Sequence, residues 1–426
     1  MKLSNIRIED FQEEGKEKSR LICDVDCRFS EEKSVWFSVE RKYKEWLCAD
    51  VYDAFLMAML YPAMYYKENI EIDGAISRKL LINVNNYIQA AKNTYDHDSH
   101  IVEVKAKSFA TATKLAQTHV GLGFGAGIDS FCSLEDHFFH PIDDKNKVDT
   151  LCFLHVDNYG DTRFASTKER AHNFYKNTEA VAKELDINAC FVDATSIFKY
   201  HPVHPSEIRN GKEGRIYING FWARISCALS IQRGLRRFII SSSSSYRDSL
   251  YYHNQMYAKG VLWFDEWSEG FMLPQVSPEG LEFIPDGAQY PSKNEKIEKV
   301  IRLPIVRKHL RACTGFFGTG GGEGDCGHCT KCIRMMIILD IMGELEHWEH
   351  HFPIDWFNRR RKIFQSEVVR LAHDDDDLSC WSILRLAEKY HYKMPSYSVA
   401  ICYHVAGNIY KTFKLKKIRD LFRSNE

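Results

Sequence analysis

The chain has 426 residues, 44% hydrophobic and 27% charged, a composition that suits a folded protein and excludes a disordered or collagen-like one. Lysine plus arginine (57) nearly balance aspartate plus glutamate (58), so no whole-molecule field recruits nucleic acid or an anionic membrane, and any such contact has to be local. A chain this long exceeds what one small core organises, and two or three lobes are expected.

The opening MKLSNIRIEDFQEEGK has no apolar core of the signal-peptide kind, and no run of about eighteen apolar residues follows it, which predicts a cytoplasmic protein without a membrane span. In a reducing compartment the thirteen cysteines are not a disulfide framework. Cys23, Cys27, Cys132, Cys152, Cys190 and Cys227 sit in apolar runs and read as small core residues.

Residues 1–115 alternate strand-like runs (SRLICDVDCRF, KSVWFSVER, IVEVKA) with helical ones (DVYDAFLMAMLYPAMYY, ISRKLLINVNNYIQAAKNTY), which predicts an N-terminal α+β lobe. From 119 the pattern becomes regular. Strand HVGLGF leads through a glycine turn to a helix; strand VDTLCFLHVD is followed by a helix over 166–185; then come strand NACFVDA, helix FWARISCALSIQRG and strand RRFIISSSS. Alternating βαβα with near-continuous apolar strands predicts an α/β domain, a parallel sheet with helices on both faces. Residues 246–312 look irregular and aromatic-rich, a plausible cover for a substrate, and the chain after 335 reads as helices. The expected domains are 1–115, 116–340 and a helical C-terminal region 341–426.

Cys313, Cys326, Cys329 and Cys332 form C-x12-C-x2-C-x2-C, three of them packed around a glycine turn. Four thiolates at this spacing predict a closed tetrahedral Zn2+ site whose work is structural, because no coordination position is left open. An iron–sulfur cluster also takes four thiolates, but nothing else in the chain suggests electron transfer.

GLGFGAGIDSF, residues 121–131, fits two templates. As G-x-G-x-x-G/A it uses Gly121, Gly123 and Ala126, with Asp144 as the acid, but Asp144 falls in a polar loop before the next strand and not at its end. As a strand, a tight turn and a helix start it offers an anion the backbone N–H groups of Gly123, Phe124, Gly125, Ala126, Gly127, Ile128, Asp129 and Ser130.

FGAGIDSF resembles the S-G-G-x-D-S loop of the PP-loop ATP pyrophosphatases, with Gly125 at the serine position and Ala126 at a glycine position, while Gly127, Asp129 and Ser130 match. Together with the cysteine quartet downstream, the chain is similar to the QueC family of 7-cyano-7-deazaguanine synthases over about 119–340. SKNEKI (Ser292, Lys293, Glu295) is similar to that family's S/T-K-x-E-I segment; Asn219 stands where its R-N pair lies, with Ile218 in place of the arginine; Arg334 matches the arginine after the last cysteine. The family's tyrosine-proline-aspartate-cysteine-arginine segment has no clear counterpart, Tyr246, Arg247 and Asp248 being a faint echo. The long leader and the helical tail look more like QueC-like proteins of the Qat and type IV CBASS anti-phage systems.

The resemblance implies ATP and Mg2+ as cofactors besides Zn2+, and a 7-deazaguanine carboxylate that is adenylated and joined as an amide to the N-terminus of a partner protein. It implies Asp129, Ser130, Lys293 and Arg334 as catalytic residues, Asp129 orienting the loop or holding Mg2+, and Asn219 at the nucleotide. His155 and Asp157, at the carboxyl end of the second parallel strand, are placed on the adenosine side by the general rule for open α/β sheets, although His155 is also what a core histidine looks like. A stand-alone synthase or amidotransferase and an inactive zinc-binding scaffold remain as alternatives. Neither a membrane nor nucleic acid is among the expected partners, and a homodimer is left open.

Four further clusters read as surface. HWEHHF (His347, His350, His351) suits a helix end, and HDDDD (373–377) a loop and helix N-terminus. NRRRK (358–362) and KLKKIRDLFR (414–423) have the charge to touch RNA or a partner.

Overall fold

The structure is a computed structural model, and it describes residues 1–95, 98–110, 118–156, 167–200, 208–209, 212–213, 220–250, 269–313 and 325–407. Contacts divide the chain into two units, Met1–Pro291 with Lys299–Leu310, and Ser292–Glu298 with Arg311–Glu426. No described helix is long and apolar enough to cross a membrane.

The first unit begins with three antiparallel strands, β1 (Lys2–Glu13), β2 (Lys16–Asp26) and β3 (Ser34–Glu40). Helix α1 (Asp53–Tyr66) is buried along twelve of its residues, because an apolar sequence with no polar face has to sit inside a core. β4 (Ile70–Ser77) pairs parallel with β1, and β5 (Val104–Ala110) pairs parallel with β4. The alternating half follows: β6 (His119–Gly123), α2 (Ile128–Leu134), β7 (Thr150–His155), α3 (Thr167–Glu184), β8 (Asn188–Asp193), a two-residue ribbon of β9 (Ile208–Arg209) and β10 (Lys212–Glu213), α4 (Gly220–Ser230), β11 (Leu235–Ser241) and β12 (Glu282–Asp286).

Ten strands form one mostly parallel sheet in the order β12-β11-β6-β7-β8-β3-β2-β1-β4-β5. Counted within the alternating half, β6, β7, β8, β11 and β12 lie in the order 3-2-1-4-5, that of a doubly wound fold. Right-handed crossovers then place α2 and α3 on one face and α4 on the other. Side chains agree: Phe174 and Tyr175 of α3 pack on Phe153 and Phe191, whereas Phe221 and Trp222 of α4 share a core with α1. Gly121 lets β6 lie close to β11, since a Cβ there would stand 2.8 Å from the Phe238 ring.

The strands of 1–115 continue this same sheet. The join is narrow: β3 and β8 are antiparallel and share a single registered pair, Ser38 with Asp193. Ser196 Oγ reinforces it, accepting from Trp36 N–H at 2.9 Å and donating to Trp36 C=O at 3.0 Å.

Two expectations need correction. Residues 246–312, read as irregular, contain the edge strand β12; its five residues EFIPD include a proline and lack apolar alternation, which an edge strand tolerates. HDDDD is not a loop before a helix. His373, Asp374 and Asp375 close a helix, Asp376 is its left-handed cap (φ 50°), and only Asp377 caps the next one. Acids at a helix C-terminus oppose the dipole, and Arg370 offsets them at 3.3 Å from Asp374 and 3.7 Å from Asp375.

The helices that matter below are α5 (Lys293–Val300), α6 (Pro304–His309), α7 (Thr330–Ile341), α8 (Ile354–Asn358), α9 (Arg361–Asp375) and α10 (Leu378–Lys389). All but α6 lie wholly or partly in the second unit.

Candidate metal centre and glycine loop

The four cysteines predicted from spacing come together in the second unit, with all four sulfurs within 4.8 Å of one another. Cys326 and Cys332 Sγ are 3.8 Å apart and Cys329 and Cys332 Sγ 3.6 Å, close to the edge of about 3.8 Å for a tetrahedron built on Zn–S bonds of about 2.3 Å. The donor set fits a metal such as zinc. Backbone N–H groups point at the sulfurs: Cys326 N donates to Cys313 Sγ at 3.3 Å, Cys329 N to Cys326 Sγ at 3.3 Å and Cys332 N to Cys329 Sγ at 3.5 Å. Cys329 is also the N-cap of α7, so the helix terminus adds positive potential beside a thiolate.

The Cys329 and Cys332 thiols influence each other's ionisation. Hydrogen bonds from Cys313 and Cys332 hold Cys329 down to about 4, and those with Cys313 and Cys329 push Cys332 up. Asp325 braces the loop from behind, its Oδ1 accepting from Cys313 N at 2.8 Å; burial pushes this carboxyl up to about 6. Gly327 makes the turn at φ +69°, and a Cβ there would run into the Pro353 ring. This residue has to be glycine on both counts.

The glycine loop lies in the first unit, at the carboxyl end of β6, where strand order reverses between β6 and β11. Phe124 N continues the ladder to Cys152 O at 2.9 Å, and Thr178 of α3 donates to Phe124 O at 3.2 Å. Gly125 is exposed, with nothing within 4 Å of where a Cβ would be. Ala126 is fully buried at φ +55°, a left-handed conformation that costs an L-residue about 1–2 kcal/mol. Gly127 caps α2, and its carbonyl accepts from Phe131 N at 3.0 Å and from the Ser130 hydroxyl at 2.9 Å.

The N–H groups of Gly125, Ala126, Gly127, Ile128 and Ser130 have no hydrogen-bond partner among the described residues. Five such donors in six residues at a helix start make a positive end of the kind that suits an anion. Behind the loop, Ser133 of α2 donates to Asp286 at 2.5 Å and accepts from Ser241 at 2.8 Å, which ties the helix to the ends of β11 and β12. His137 Nε2 stands 3.2 Å from the same carboxylate, off the line of a hydrogen bond.

His155 is 1% exposed at the end of β7, in register with Asp193, and its Nδ1 lies 3.5 Å from Asp193 Oδ1. Neither ring nitrogen makes a hydrogen bond among the described residues, so within them it is buried but not satisfied. Asp157 and Asn219 lie outside the described residues. Lys293 and Arg334 fall in the second unit, apart in assignment from the loop. Lys293 is exposed at the first position of α5. Arg334 donates to Asp377 at 2.7 Å and to Cys380 Sγ at 3.2 Å, so it braces the start of α10. Sequence reading missed Ser133, Ser241 and Asp286: Ser133 is one serine in a helix, Ser241 opens a run of five serines, Asp286 stands before a glycine at a strand end, and none carries a spacing signal.

Of the predicted core cysteines, Cys23, Cys132, Cys152, Cys190 and Cys227 are buried and Cys27 is half-buried. No protein-family model, curated protein or solved structure matches the chain.

Proposed function

We propose that the chain is a QueC-like PP-loop enzyme of the anti-phage kind, which adenylates a 7-deazaguanine carboxylate with ATP and joins it as an amide to the N-terminus of a partner protein. The observation that supports it best is that the N–H groups of Gly125, Ala126, Gly127, Ile128 and Ser130 have no hydrogen-bond partner among the described residues, at a loop placed after the first strand of a 3-2-1-4-5 sheet. The cysteine quartet follows in the order that the resemblance implies.

A carboxylate is a poor electrophile because oxide is a bad leaving group. Attack of its oxygen on the α-phosphorus of ATP forms an O–P bond and expels pyrophosphate, and the loop N–H groups would take up the charge that builds on the departing oxygens. The amine then attacks the acyl carbon; a C–N bond forms, the C–O bond to AMP breaks with its electron pair, and the nitrogen gives up its proton. Zinc, held by Cys313, Cys326, Cys329 and Cys332, would keep their loop folded and has no part in these steps.

Two contacts favour a second reading, a scaffold without catalysis: the Ser130 hydroxyl turns back onto Gly127 O, and the Arg334 guanidinium is held by Asp377. Incubation with ATP and 7-carboxy-7-deazaguanine separates the two. AMP and pyrophosphate are expected in equal amounts, and their absence would sink the enzyme. Mass spectrometry of a genomically neighbouring protein, co-expressed with this one, tests the acceptor: an unmodified N-terminus with free nitrile accumulating points to a stand-alone synthase.

A further inference from the structure

The NRRRK run, residues 358–362, has no role in that chemistry, and it lies in the second unit together with the cysteine loop. Lys331 at the start of α7, and Arg359, Arg360 and Lys362 around the α8–α9 junction, are exposed and pair with no acid among the described residues. Arg361 differs, being held by Asp340 at 3.2 Å, and nearby Arg334 and Arg370 are likewise paired. One exposed acid, Asp355, shares α8, so the four cations are in surplus.

One of these cations, Arg360, has ring surface beside it. The Arg360 guanidinium lies 5.1 Å from the centre of the half-buried Trp356 ring, and the exposed His328 ring meets Trp356 edge-on at 4.5 Å. His328 stands between Cys326 and Cys329, so the cysteine loop itself delivers one side of this face. The left-handed turn at Gly327 packs on Pro353, the residue before α8, and fixes the two segments against each other.

Unpaired cations interleaved with aromatic rings match a phosphate backbone that carries unstacked bases. We propose that this face of the second unit binds single-stranded nucleic acid, with Lys331, Arg359, Arg360 and Lys362 at the phosphates and Trp356 and His328 offering ring surface to a base. Ribose and deoxyribose present the same chemistry to these groups. The near-zero net charge of the whole chain makes any such contact local. This inference is independent of whether the glycine loop uses ATP.

The test is a titration of the full chain into labelled oligouridylate and oligothymidylate, followed by fluorescence anisotropy over a range of salt. Saturable binding is expected at about 50 mM salt, with log affinity falling linearly in log salt, and replacing Arg359, Arg360 and Lys362 by glutamine should flatten that slope by about 0.7 per cation. Trp356→Leu should weaken binding at unchanged slope. If the triple variant loses its helical signal, Lys331→Gln and Lys362→Gln read singly give the same slope test. Preference for either oligomer supports the proposal and identifies the sugar. Absence of binding at low salt, an unchanged slope in the variants, or displacement by oligoglutamate as effective as by oligouridylate would overturn it, the last assigning the face to an acidic protein.

Discussion

At the cysteine loop four side chains converge on one point and the backbone bends to serve them; at the glycine loop the side chains are withdrawn and the backbone itself supplies the donors. The first arrangement depends on a few irreplaceable atoms. The second depends on a path of the chain, which neighbours hold through Thr178, Ser133 and Asp286. Single substitutions should therefore be severe at one loop and mild at the other.

The largest effect is expected from Cys332→Ser, which removes one of four ligands. Structural zinc is worth on the order of 10 kcal/mol of folding free energy, so bound zinc, measured by atomic emission, should be lost together with the thermal transition of the second unit. No bound zinc in the unaltered chain would mean that the sulfurs cluster without a metal, and retained zinc with an unchanged melt in the variant would mean that the metal is held elsewhere. Next comes Gly327→Ala, which meets both a left-handed turn and the Pro353 ring; about 2–4 kcal/mol of destabilisation is expected in chemical denaturation.

The glycine-loop side is gentler. Burial pushes the Asp286 carboxyl up, but His137 and Ser133 outweigh it and hold it down to about 2. A carboxyl whose folded pKa lies below its unfolded value of about 3.9 stabilises the fold above that value and loses the contribution as pH falls through its folded pKa. Unfolding free energies from urea titrations should therefore drop between about pH 4 and pH 2 by roughly 2 kcal/mol more in the unaltered chain than in Asp286→Asn. Equal acid sensitivity in the two would show that this carboxylate does not anchor α2. The smallest effect belongs to Gly125→Ser. With open space around the new Cβ, stability should stay within about 0.5 kcal/mol, and AMP formation should rise if the loop holds phosphate.

What was legible in the sequence follows the same division. Cysteine spacing and the run from β6 into α2 are local patterns, and both were read correctly as a four-sulfur cluster and as a strand, turn and helix. The parallel strands were visible because burial on both faces makes them continuously apolar. β1 was not: only Leu3 of its twelve residues is fully buried, so it carries no alternation to read. Nor could the sequence show that residues 1–115 extend the parallel sheet, since the join is one registered pair between Ser38 and Asp193, far apart in the chain. Arg334 illustrates a further limit. A motif match can place an arginine, but its guanidinium goes to whichever carboxylate the fold brings near, here Asp377.

Helix α5 starts in the second unit, and from Lys299 onward its residues are counted with the first. The chain then stays in the first unit until Leu310, where α6 closes it: His309 Nε2 lies 3.0 Å from Glu184, and Asn177 Nδ2 donates to His309 O at 2.6 Å. During synthesis the first unit therefore cannot complete its packing until the ribosome has made Ser292–Glu298, a segment that waits in turn for residues beyond 311. A gene cut anywhere between the two units leaves at least one without a piece of itself, so no single cut separates them.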